Sequence, residues 1–150
     1  MDFVDTLLIW KLKTREKMVI VSKIYLVLLV IANAILLVWG LAGFFEYFTG
    51  IKPIINLQNS AYPDGVQFVH WLLISLTGGT FLIGYFTHWS LTPFAMILLF
   101  SNLAVLCTIQ TFDFMSEQWS LNAYIAELIF YLATSLFLIY SSVSKSHFSS

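Results

Sequence analysis

Four apolar runs, residues 24–45, 66–86, 93–112 and 121–140, constrain this chain more than any other feature of it. Each holds about 20 residues, which as a helix rising ~1.5 Å per residue matches the ~30 Å hydrocarbon core of a bilayer. Spanning strands are excluded, because the runs do not alternate and are about twice the length that a barrel strand needs. With 59% of its 150 residues hydrophobic and 10% charged, the chain has too much apolar surface for a water-soluble domain. The sequence therefore predicts an all-α integral membrane protein, a single domain over residues 1–150 with four transmembrane helices in an up-down bundle.

Helix punctuation supports these boundaries. Tyr62-Pro63-Asp64-Gly65 is a turn, after which Asp64 can cap the second helix with Gln67 three residues on. Thr92 before Pro93 supplies a cap and a first-turn proline for the third helix, and Ser120 can cap the fourth. Five of the seven basic residues, Lys11, Lys13, Arg15, Lys17 and Lys23, precede the first span or sit at its mouth. The positive-inside rule then places the N-terminus in the cytoplasm, and an even number of spans returns the C-terminus there. The connections 49–65 and 113–119 become external, and 87–92 a cytoplasmic turn. The chain is thus expected in a plasma membrane or bacterial inner membrane, with the lipid bilayer as its first partner. The basic segment 1–17 is expected either as a short interfacial helix or as a mobile tail.

Two histidines, His70 and His88, open and close one apolar run, five helical turns and roughly 27 Å apart. Haem ligation by either needs a second histidine at the same depth, and the third one, His147, lies in the serine-rich tail. The favoured expectation is that His70-Trp71 and His88-Trp89 anchor the helix in the two head-group layers. Cys107, the sole cysteine, is expected as a small buried residue, and no cofactor or metal site is expected. A net charge of -1 gives no footing for nucleic acid.

What remains is the polar content of the spans. Glu127 lies about two turns inside the fourth helix, where an ionised carboxylate costs up to ~2.5–3.5 kcal/mol to insert at mid-depth. Tyr124 and Tyr131 share its face. His70, Gln110 and Asp113 come to the same level, so a polar pocket in the external half is expected from Glu127, His70, Gln110, Asp113, Tyr124 and Tyr131. Asn33 and Asn102, near mid-depth, are expected to join helices by polar contacts. The long apolar connection between the first two spans can fold back over that pocket as a lid. The plan of four spans with a long first loop is similar in layout to small bacterial membrane families such as the DoxX-like proteins, and layout alone implies no activity.

Two functional classes fit. The preferred one is a non-catalytic membrane protein: a small-molecule binder, a transport accessory or a complex subunit, with other membrane subunits or a second copy as partners. The alternative is a membrane enzyme moving protons on a lipophilic substrate, with Glu127 and His70 as its acid and base.

Overall fold

A computed structural model describes residues 3–53, 55–114 and 121–149, with every side chain among them except those of residues 3–9 and 11. All regular structure among these residues is helical. The elements are α1 (Phe3–Thr49), α2 (Asp64–Thr87), α3 (Thr92–Ile109) continued by a π-helical turn (Gln110–Phe114), α4 (Leu121–Tyr140) and the short α5 (Ser142–Phe148). Four of these helices are long and apolar enough to cross a membrane, with the π-helical turn included in the third. Many large apolar side chains face outward, among them Val38, Phe48, Phe86 and Leu132. Such an apolar exterior suits lipid and not water.

Helix α1 has 47 residues, roughly 70 Å of helix and more than twice a hydrocarbon core. The basic segment is not a separate element; it continues α1 without a break.

Close packing of α1 on α2 follows from small residues on both. A side chain at Gly43 would meet the Trp71 ring, and one at Gly40 would meet Ser75. Gly78 lies against α1 backbone, where a Cβ would come 2.6 Å from the Asn33 carbonyl oxygen. Lipid tails are as apolar as the side chains, so this association rests on van der Waals fit and needs such close approach. Beside the seam a core gathers Leu29, Phe81, Met96, Phe100 and Leu138 from all four long helices.

Two expected caps come out differently. Asp64 makes no capping side-chain bond, and the amides of Val66 and Gln67 donate to the Pro63 carbonyl instead. Thr92 is fully buried against Gly84, and its hydroxyl donates to the Trp89 carbonyl, 2.6 Å away. That bond ties the short α2–α3 turn, and Pro93 sits in the first turn of α3 as expected. Ser120 and the turn beyond Phe114 lie outside the described residues.

The serine-rich tail is an ordered part of the fold. Ser144 is buried and donates to the Leu138 carbonyl, while Phe148 packs its ring edge-on against Phe81. Two of the three histidines meet here. His147 Nε2 donates to the Tyr85 carbonyl at 3.0 Å, and His88 Nδ1 donates to the His147 carbonyl at 2.9 Å. His88, in the left-handed conformation that ends α2, is therefore a fastener for α5 as well as an end-marker.

Candidate functional site

A cavity of about 640 Å³ lies between the long helices, with residues 57, 59 and 62 of the α1–α2 connection forming part of its wall. Each helix contributes through a local pattern. On α4, Glu127, Phe130 and Tyr131 stand at spacings of three and four, so they share one face, and all three line the cavity. Cys107 near the end of α3 and Gln110 in the turn that continues it are three apart and also line the cavity. His70 and Trp71 come from α2, and Leu36 and Trp39 from α1.

The polar groups are held in two pairs. Cys107 Sγ donates to Glu127 Oε2 at 2.8 Å. Gln110 Nε2 donates to His70 Nδ1 at 3.0 Å. Gln110 opens the π-helical turn, whose wider winding ends the α-helical register of α3; such turns recur at functional sites. Glu127 and His70 thus line one cavity but bond to different neighbours, so the acid–base pair of the enzyme alternative is not a direct contact among the described residues.

The other expected pocket residues stand apart. Asp113 is exposed and Tyr124 lies off the cavity lining. The Thr108 hydroxyl spends its proton on the Ala104 carbonyl, so Tyr124 donates to Thr108, 3.1 Å away, and joins α4 to α3 there. Neither expected asparagine bridge forms among the described residues. Asn33 is buried at the α1–α2 crossing, yet its Nδ2 donates to the Leu29 carbonyl of its own helix. Asn102 is exposed and donates likewise to Leu98.

Several site residues were not foreseen. Trp71, expected among head groups, is 4% exposed, and its indole N–H has no partner among the described residues. An orphaned buried donor costs ~1–3 kcal/mol. Cys107 turned out to hold the carboxylate; once Gln110 is placed, its spacing of three is the signal that would have found it. Glu46, near the end of α1, is buried and accepts the Leu57 amide at 2.8 Å. Gln67 donates to the Asn59 carbonyl at 2.6 Å. These two fix the connection over the cavity. Burial pushes the phenol of Tyr62, on that connection, above its usual value of 10.0, outweighing the opposing hydrogen bond from Asn59. Tyr62 thus presents a neutral hydroxyl.

Helices of this length and apolarity, with a cavity among them, fit a small multi-pass membrane protein. No family model matches the chain, no curated protein matches it in sequence, and no solved structure matches its fold.

Proposed function

We propose that the chain is a non-catalytic integral membrane protein that binds a lipophilic small molecule in the cavity beside Glu127, as a binder, a transport accessory or the binding subunit of a larger assembly. The cavity itself carries this reading. Its volume of about 640 Å³ falls within the ~300–1,000 Å³ typical of small-molecule sites. Its walls are mostly apolar, with a few polar groups from His70, Gln110 and Glu127 to orient an occupant.

In this proposal the four helices run up and down through a plasma or bacterial inner membrane with both termini cytoplasmic, following the basic cluster before the first span. Cysteine labelling tests the topology. In a Cys107→Ser background, an impermeant thiol reagent applied from outside should label Asn59→Cys and leave Ser90→Cys untouched. Labelling of both from one side would overturn the four-span arrangement.

The binding proposal is tested by native mass spectrometry of the gently extracted full chain. A small organic molecule should remain bound to the wild-type protein and be lost from Glu127→Gln, which preserves shape and helix propensity. A wild-type protein with nothing bound, or equal retention by a stabilised Glu127→Gln variant, counts against it. The proton-transfer alternative has one observation in its favour, the shared cavity of His70 and Glu127.

A further inference from the structure

We propose that the cavity is built for a lipophilic organic cation, with Glu127 as its counter-ion and aromatic rings as its walls. This inference rests on the binding proposal above and names the ligand class.

Charge is the first consideration. Glu127 is the one carboxylate among the lining residues, and no lysine or arginine is among them. The nearby imidazole nitrogen is engaged by Gln110. The thiol of Cys107 donates to the carboxylate, but a thiol is a weak donor. A half-buried carboxylate is stabilised by a cation close by, and the described lining residues supply none.

Aromatic faces supply the second argument. Phe100 stacks on Tyr131 with ring centroids 5.3 Å apart and meets Phe130 edge-on at 6.4 Å. Phe130 and Tyr131 follow Glu127 by three and four residues, one helical turn along α4. Ring faces carry negative potential and attract cations, more strongly where water is excluded. Trp71 continues the aromatic lining on α2.

Size and composition set the rest. A metal ion or ammonium would be lost in about 640 Å³. Hard cations demand six or more oxygen ligands, and among the described residues no three acids, histidines or cysteines gather to hold a metal. The occupant must therefore fill apolar space with its own carbon skeleton and bring one positive charge to Glu127. An anion of the same size would meet the carboxylate and the ring faces with the wrong sign.

Equilibrium dialysis of the full chain in zwitterionic nanodiscs, corrected by empty nanodiscs, tests this with three probes of similar bulk. These are the cation tetraphenylphosphonium, the neutral triphenylphosphine oxide and the anion tetraphenylborate. The cation should bind saturably and at least about tenfold more tightly than the neutral probe, and the anion should not displace it. Glu127→Gln should bring the cation-to-neutral ratio close to one. Phe130→Leu, which keeps the carboxylate, should lower it by a few-fold. Equal binding of cation and neutral probe by the wild-type protein, or a ratio that survives Glu127→Gln, overturns the cation proposal while leaving the cavity as a binding site. Absence of saturable binding by either probe overturns both. The wild-type comparison decides even if Glu127→Gln fails to fold.

Discussion

Gly78→Ala is expected to lower the melting temperature of the purified protein, while Gly79→Ala, one residue further on, should leave it unchanged or raise it. Alanine is the better helix former by ~1 kcal/mol, so propensity alone predicts stabilisation at both positions. Packing separates them. A Cβ at Gly78 would come 2.6 Å from the Asn33 carbonyl oxygen and 2.7 Å from the Leu37 amide nitrogen, both of them α1 backbone. Backbone cannot rotate aside as a side chain can, so α1 and α2 must move apart, and overpacking of this kind costs ~1–3 kcal/mol. At Gly79 the nearest atom is a Leu37 methyl carbon at 3.9 Å, an ordinary contact. Gly78→Leu should be worse still. Because Trp39 and Trp71 line the cavity from α1 and α2, a widened seam should also weaken whatever the cavity holds. Thermal melts of the two alanine variants side by side decide the matter; shifts of equal sign and size would show that the seam is not the constraint.

The same seam shows what a sequence of this type can and cannot reveal. Depth along a helix can be counted from the ends of an apolar run, and His70, Gln110, Glu127 and Tyr131 line one cavity. Rotation about the axis is harder to obtain. In a soluble helix the apolar stripe marks the inner face, but a helix in lipid is apolar on every side and the stripe disappears. Asn102 and Asp113 do project close together on an ideal helix, and both are exposed. Polarity alone did not mark the inward face of α3, where Leu103 and Cys107 join the expected Gln110, from the turn that follows, in lining the cavity. The C-terminal helix was hidden for a related reason. Ser142–Phe148 has no apolar run to announce it, and its place depends on Phe148, Ser144 and His147 finding partners distant in sequence. Glu46 and Gln67 were equally opaque, since their roles depend on how the connection folds back.

Replacing Glu46 and Gln67 together by alanine is expected to free that connection and speed the release of a bound probe, with the four long helices left in place. The connection is fastened from both sides: Glu46 on α1 accepts the Leu57 amide at 2.8 Å, and Gln67 on α2 donates to the Asn59 carbonyl at 2.6 Å. Both side chains are buried, 3% and 6% exposed, so these bonds have little competition from water. An intramolecular hydrogen bond contributes ~0.5–1.5 kcal/mol, and losing both bonds should raise the open population by about tenfold. Leu57, Asn59 and Tyr62 line the cavity, so an open connection removes three residues from its wall at once. Hydrogen exchange at the Leu57 amide reads the opening directly, and the dissociation rate of tetraphenylphosphonium reads its consequence. Glu46→Gln keeps an acceptor for Leu57 and should produce a smaller effect than Glu46→Ala. Faster exchange together with faster release makes the connection a gate over the cavity. Faster exchange with unchanged release reduces it to packing, since the ligand would then leave by another route, between helices and into the lipid.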